Sequence, residues 1–329
     1  MIRLYSEMLR LRLLDQRMLT LQRQGRIGFY GTTTGEEAAV IGSVFALGPD
    51  DWIFPALRQG GAALFRGFPL LLYISQCMGN AADVLKGRQM PSHYSYRPAH
   101  FVSWSSCIGT QLPHAVGAAW AMKIRGDRNV AIGYMGDGAT SEGDFHVAMN
   151  FAGVFKVPVV FFCQNNQWSI SVSLKQQTAS ESIAVKAEAY GFEGVQVDGN
   201  DVLAVFSATR DAVRKARDGG GPTLIEALTY RMGAHSSSDD PRLYRSEAEV
   251  EEWRKKDPIT RLLKYLQQQG YWSMEEQEAL EEKLNHQILS AVEEAEKIGP
   301  PPLESLFEDV FAQIPPHLME QRNSKLKVE

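Results

Sequence analysis

The 329-residue sequence holds only three cysteines, Cys77, Cys107 and Cys163, with neither the paired spacing of a zinc site nor that of a disulfide framework; they read as reduced thiols. Long apolar runs are missing too: the stretch FPLLLYIS at 68–75 is interrupted by Pro69 and falls short of the ~18 residues of a membrane span, so no membrane partner is expected. There is no basic excess. With 34 Lys and Arg against 39 Asp and Glu, the net charge of -5 disfavours a nucleic-acid or anionic-membrane surface, which needs clustered cations. Neither an Arg/Ser-rich leader nor an unbroken apolar block precedes the first amphipathic pattern, which sets the expectation of a bacterial-type cytoplasm. Internal repeats and a disordered composition are likewise absent, since 44% hydrophobic and 22% charged residues are ordinary for a chain with a sizeable core.

What is present is a regular alternation. Leu4, Met8, Leu11, Met18 and Leu21 recur at helical spacing and predict an N-terminal docking helix. From about 110 to 235, helical LPHAVGAAWAMKIRG, the apolar run NVAIGYM, a helical pattern to Gly153 and VPVVFFCQ follow one another. Helical ESIAVKAEAYGF, the short strand GVQVD, a helix over 202–217 and the strand PTLIEALTY continue the series. Strands alternating with helices imply an α/β fold with a doubly wound, mostly parallel sheet. Beyond residue 245 the sequence turns Glu/Lys/Gln-rich and helical to Lys297, then passes a Pro cluster at 300–302 that reads as a linker before one last helix. The expected organisation is an α/β domain over 1–245 and a helical extension over 246–329 packed on it.

The stretch YMGDGATSEGDF, Tyr134 to Phe145, stands where a strand hands over to a helix, and Ser141-Glu142-Gly143-Asp144 fits a capping box. In a parallel sheet the loop after each strand lies at its carboxyl edge, so Asp137 and the QNNQWS loop share one edge and converge if their strands are neighbours. A carboxylate, an amide oxygen and a loop carbonyl form an oxygen-only set that suits Mg²⁺, completed by a phosphate and water. Gly136 and Gly138 let backbone pass close to such a ligand. A lone Gly-Asp-Gly is also a common turn signal. A dinucleotide fingerprint fails, because its third glycine would fall at Ser141 and neutral Gln164, Asn165 and Asn166 stand where an acidic residue should grip the ribose.

Gly136-Asp137-Gly138 followed by Asn165-Asn166 resembles the thiamine diphosphate and Mg²⁺ signature of thiamine-dependent enzymes. LQRQGRIGFY, TGEEAA, DDWIFPALRQG, KGRQMPSHY, TQLPHAVGAAWA and AHSSSDDPRLYRS extend the likeness over nearly the whole chain. Together they resemble the alpha subunit of the decarboxylating dehydrogenase of 2-oxo acid dehydrogenase complexes. The resemblance implies that Asp137, Asn166 and the Trp168 carbonyl hold magnesium, that Gly136, Gly138, Ala139 and Glu142 line the diphosphate and thiazolium region, and that Arg58 pairs with the diphosphate. In SWSSCIGTQ it implies Ser106 and Ile108 beside the cofactor, and Ser105, the Cys107 carbonyl, Thr110 and Gln111 around K⁺.

His235 matches a histidine that reaches the cofactor and acts in acyl transfer; His93 is a weaker candidate. The sequence departs from the family's pattern at Gln164, often arginine in mammalian relatives, at Leu57 in place of an aromatic and at Cys107 in place of proline. Loss of the cation at 164 is expected to weaken phosphate binding or shift it onto Arg58. Ser236 and Ser246 match phosphorylation positions of mammalian relatives, and no regulation is expected from them. The resemblance further implies oxidative decarboxylation of a 2-oxo acid, transfer of the acyl group to a lipoyl-bearing acyltransferase, and an α2β2 heterotetramer with a separate beta subunit. GRQMP and HSSSDDPRLYRS resemble the branched-chain type, acting on 3-methyl-2-oxobutanoate. A pyruvate or acetoin enzyme and a non-catalytic structural subunit are the alternatives.

Overall fold

A computed structural model describes residues 1–325. The chain opens with α1 (Ile2–Arg23), whose Leu4, Tyr5, Met8, Leu11, Leu14, Met18 and Leu21 are all buried. The predicted docking helix therefore docks on its own chain. Next come α2 (Glu37–Phe45), β1 (Trp52–Phe54), α3 (Gly60–Phe65), α4 (Leu70–Met78) and α5 (Gln111–Arg125). The alternation then runs β2 (Ala131–Gly136), α6 (Gly143–Phe155), β3 (Val159–Asn165), a small antiparallel ribbon of β4 (Trp168–Ser169) and β5 (Val172–Ser173), α7 (Leu174–Gln177), β6 (Glu193–Asp198), α8 (Val202–Arg217) and β7 (Thr223–Leu228). Helices α9 (Glu247–Arg254), α10 (Pro258–Gln268), α11 (Met274–Glu296) and α12 (Pro316–Lys325) complete the described chain.

Strands β1, β2, β3, β7 and β6 lie in that order in one sheet, and every pair is parallel. Side chains alternate between the faces of a strand, and β3 shows the result. Val160 and Phe162 join the cluster that contains α1, α2 and α8, whereas Val159, Phe161 and Cys163 join the one built on α5 and α6. Both faces are covered, as a doubly wound sheet requires. Ile259, Leu262 and Leu266 of α10 and Leu284, Ile288 and Val292 of α11 belong to the same cluster as α1.

Two local readings are corrected. The chain after β2 does not enter a helix through a capping box: Asp137–Ser141 forms a 3-10 helix, and α6 starts from Glu142, which makes no side-chain cap. The i→i+3 turns hold Ser141 inside the helical segment, so extended backbone first appears at Glu142 (φ -82°, ψ 146°). The stretch ESIAVKAEAYGF is likewise a 3-10 helix over Ala184–Tyr190 rather than an α-helix.

Strand progression explains where a ligand fits. From β1 to β3 the chain moves across the sheet in one direction with α5 and α6 on one face; from β6 to β7 it moves back with α8 on the other. The direction reverses between β3 and β7, and an open α/β sheet binds ligands outside the carboxyl ends of its strands at such a reversal.

Candidate active site at the carboxyl edge of the sheet

Gly136 at the end of β2 is in register with Gln164 of β3, and Asn165 with Leu228 of β7, so three loops leave the sheet side by side. Backbone bonds continue the pairing past the strands: Thr229 N–H donates to Asn165 O at 2.9 Å and Arg231 N–H to Asn166 O at 3.4 Å. The loops enclose a cavity of about 360 Å³ whose wall includes Arg58, Ser106, Ile108, Gly136, Asp137, Gly138, Ala139, Asn166, Trp168 and His235. Gln111, His93 and Gln164 also line it. Glu142, Ser105, Cys107 and Thr110 do not: they sit outside the cavity wall, with Glu142 against the loop at Gly109.

Asp137 is buried, and its Oδ2 accepts from Gln177 Nε2 at 2.9 Å. Burial pushes its carboxyl up to about 6. Asn166 donates to Glu36 Oε2 at 3.0 Å, while its Oδ1 accepts from Trp168 N–H at 3.2 Å. Gly138 is needed because β4 presses on it: a Cβ there would lie 2.1 Å from Ser169 Oγ. That close approach sets β4 against the Asp137 loop.

Arg58 is buried, and each of its three nitrogens faces a protein partner. Its Nε pairs with Glu36 Oε1 at 3.2 Å, its Nη1 donates to Thr32 O, and its Nη2 donates to His235 O at 3.1 Å and faces His235 Nδ1 at 3.4 Å. A guanidinium only donates, so His235 Nδ1 presents its lone pair. Burial, with Arg58 and Arg231 adding positive charge, lowers the His235 imidazole to about 4 and keeps it neutral at physiological pH. The SSSDDPRLYRS segment folds back to fix this loop. Asp239 Oδ2 accepts from His235 N–H at 2.7 Å and from Tyr244 Oη at 2.6 Å, and Arg245 donates to the carbonyls of Met232 and Gly233. Ser236 lies buried in the loop, whereas exposed Ser246 caps α9 through Glu249 N–H.

Residues 5–304 match the family described as dehydrogenase E1 component. The chain belongs to that family. Among relatives of this E1 chain, the mitochondrial 2-oxoisovalerate dehydrogenase subunit alpha 1 of Arabidopsis thaliana is 44% identical over 321 residues, 97% of this chain and 68% of the relative. The mitochondrial 2-oxoisovalerate dehydrogenase subunit alpha of Homo sapiens is 44% identical over 324 residues, 98% of this chain and 73% of its own length. Its counterpart from Caenorhabditis elegans is 45% identical over 324 residues, 98% and 75% respectively.

The donor set of the E1 chain fits a hard cation bound with a phosphate. Among the described residues no three His, Cys, Asp or Glu side chains cluster as a protein-only metal cage. One carboxylate, one amide oxygen and one carbonyl instead leave positions for ligand oxygens, as Mg²⁺ prefers. The 105–111 loop carries a second oxygen set: Thr110 Oγ1 donates to Cys107 O at 2.9 Å, and Gln111 Oε1 is buried without a partner. Among the described residues no helix is long and apolar enough to cross a membrane.

Two residues carry weight that the sequence reading did not give them. Glu36, wholly buried, accepts from Gln164 and Asn166 and pairs with Arg58. Arg231, also buried, donates to the carbonyls of Trp168 at 3.1 Å and Ile170 at 2.6 Å, thereby holding β4. Arg231 had a usable signal, a charged residue directly after a central strand; Glu36, in TGEEAA, had none beyond the resemblance.

Proposed function

We propose that this E1 chain is the alpha subunit of a branched-chain 2-oxo acid dehydrogenase. Joined to a beta subunit as an α2β2 heterotetramer, it takes part in oxidative decarboxylation of 3-methyl-2-oxobutanoate and its homologues and in acyl transfer to the lipoyl group of an acyltransferase. The observation that carries the reading is the convergence of Asp137, Asn166, the Trp168 backbone, Arg58 and His235 on one cavity at the strand reversal. That the chain's relatives in Arabidopsis thaliana, Homo sapiens and Caenorhabditis elegans are 2-oxoisovalerate dehydrogenase alpha subunits supports the branched-chain substrate.

Thiamine diphosphate with Mg²⁺ is the cofactor that fits, and when bound it supplies the electron sink for decarboxylation. Asp137, Asn166 and the Trp168 carbonyl hold the metal; that carbonyl keeps a lone pair free beside the Arg231 bond. Gly136, Gly138 and Ala139 allow close approach of the diphosphate, Arg58 offers it charge-assisted hydrogen bonds, and Ser106 and Ile108 bound the far side. Glu142, outside the cavity, shapes the loop that carries them. Neutral His235, with its Nδ1 lone pair turned to Arg58 and its hydrogen therefore on Nε2, acts in acyl transfer as a hydrogen-bond donor. Ser105, the Cys107 carbonyl, Thr110 and the orphaned Gln111 oxygen form the site for K⁺. Residues 246–329 are an extension of the 1–245 domain. Three free cysteines fit a reducing compartment, here the bacterial-type cytoplasm, and a longer precursor with a cleaved leader in the native cell would overturn that choice.

Reconstitution with the beta subunit and a panel of 2-oxo acids tests the reading. Release of CO2 that needs both thiamine diphosphate and Mg²⁺, with branched substrates preferred, is the expected result. Dependence on pyruvate alone would reassign the substrate, and no release from any 2-oxo acid would defeat the function.

A further inference from the structure

The cavity contains a second histidine to which the function above gives no task. His93 is buried, and its ring lies against Trp104 with centroids 3.8 Å apart. Its Nδ1 is 3.1 Å from the Pro91 carbonyl and its Nε2 is 2.7 Å from Ser106 Oγ. A carbonyl oxygen can only accept, so Nδ1 carries the hydrogen; in the neutral ring Nε2 then has only a lone pair, and the Ser106 hydroxyl must donate to it. Burial lowers the His93 imidazole below its ordinary range, in keeping with a neutral ring. The loop that delivers His93 is itself tied down, since Asn80 Nδ2 donates to Ala295 O at 2.8 Å, Ala81 N–H to Gly299 O at 2.8 Å and Arg88 to the carbonyls of Ser305 and Glu308.

We propose that His93 is a positioning residue: by taking the hydroxyl hydrogen of Ser106 it fixes Ser106 Oγ as a hydrogen-bond acceptor at the cavity wall. The inference rests on the function proposed above and adds a direction to it. A 2-oxo acid anion bears only carbonyl and carboxylate oxygens, all acceptors, so a serine locked as an acceptor gives the incoming substrate nothing. It would gain a partner only once the carbonyl electron pair, displaced onto the 2-oxo oxygen as the carbon bonds to the bound cofactor, had taken up a proton from solvent to give a hydroxyl. An interaction absent from bound substrate and present later raises kcat rather than lowering KM. A histidine that merely filled space beside Trp104 would produce no such split.

Steady-state kinetics on the α2β2 complex read this out, with thiamine diphosphate affinity measured separately by calorimetry. His93→Leu should lower kcat about 10- to 100-fold, the loss of one transition-state hydrogen bond, while KM for the 2-oxo acid and the cofactor affinity stay within about twofold. His93→Gln should recover most of that loss, because its amide oxygen can accept from Ser106. Ser106→Ala should match His93→Leu, and the double variant should be no worse than the poorer single, as for residues acting as one unit. Wild-type kcat in His93→Leu, a raised KM at unchanged kcat, no recovery in His93→Gln, or multiplicative losses would each overturn the assignment. Should His93→Leu fail to assemble, Ser106→Ala against His93→Gln decides, with wild-type kcat in Ser106→Ala as the refuting result. A wild-type complex that turns over no 2-oxo acid defeats the function and this inference together; an active wild type with an unaffected His93→Leu defeats this inference alone.

Discussion

Asp137→Asn should make the metal-free protein more stable while removing its response to the cofactor. The Asp137 carboxyl is 1% exposed, and burial raises it from its ordinary 3.8 to about 6. A carboxyl raised in the folded state binds its proton more tightly there than in the unfolded chain. Its contribution is therefore fully favourable below the unfolded value and is lost as pH rises through about 6. The loss amounts to roughly 3 kcal/mol at pH 8 and about half of that at pH 5. Asparagine carries no charge to desolvate and keeps an oxygen for Gln177 Nε2, so it escapes this cost. It also lacks the only carboxylate proposed for the Mg²⁺ shell. Urea unfolding followed by tryptophan fluorescence, in chelator at pH 8 and pH 5, should give Asp137→Asn the higher midpoint at pH 8 and a smaller advantage at pH 5. Added Mg²⁺ and thiamine diphosphate should raise the wild-type midpoint and leave that of the variant unchanged. A metal-free variant less stable than wild type at pH 8, or an equal cofactor-induced rise in both proteins, would refute the reasoning.

Other perturbations separate neighbouring roles. His235→Ala should still bind thiamine diphosphate with Mg²⁺ and release CO2 with an artificial electron acceptor, yet lose about 10²- to 10⁴-fold in lipoyl acylation; equal losses in both half-reactions would reject the role. Gly138→Ala forces a methyl into Ser169 and so displaces the Trp168 carbonyl, which should abolish cofactor retention on gel filtration while the far-ultraviolet circular dichroism of the chain persists. Arg12→Ala strips the shared partner from buried Glu37 and from Asp257, its 2.8 Å partner at the start of α10, and should cost about 3–5 kcal/mol in urea unfolding; a change under about 1 kcal/mol would show that the bridge is dispensable.

The sheet was legible because its strands announce themselves locally. In β3, VVFFCQN is buried on both faces, and a run of that kind bounded by turns has few alternatives to a central parallel strand. The convergence of Asp137 with Asn166 followed from pairing β2 with β3, a long-range fact that the register bears out. The three-residue β1 carries too little periodicity to be seen. Capping was misread for a different reason. Ser141 has the right neighbours for a cap, but the tight turns that carry Asp137 into the cavity also hold Ser141 inside a 3-10 segment. Site geometry there overrode a local preference worth about 1 kcal/mol.

Gln164 shows how a departure visible in the sequence gains its meaning only in three dimensions. An amide where relatives often carry a cation was expected to weaken phosphate binding or shift it onto Arg58. Gln164 donates an amide hydrogen to Glu36, and its oxygen accepts from Gln59 Nε2 at 2.9 Å, inside the cavity wall. Arg58 has five N–H donors; Glu36, Thr32 and His235 already occupy its Nε and both terminal nitrogens. It can offer a phosphate one or two hydrogens without releasing a protein partner. Arg231 spends its Nη atoms on the Trp168 and Ile170 carbonyls and Tyr244 Oη, while its buried Nε–H has no partner. On the proposed function, then, the missing cation at 164 is replaced only in part, by the hydrogens that Arg58 has left. Most of the burden of holding a diphosphate then falls on the metal and on the backbone of Gly136 to Ala139, which makes the single carboxylate proposed for the metal, Asp137, the decisive charge of the site.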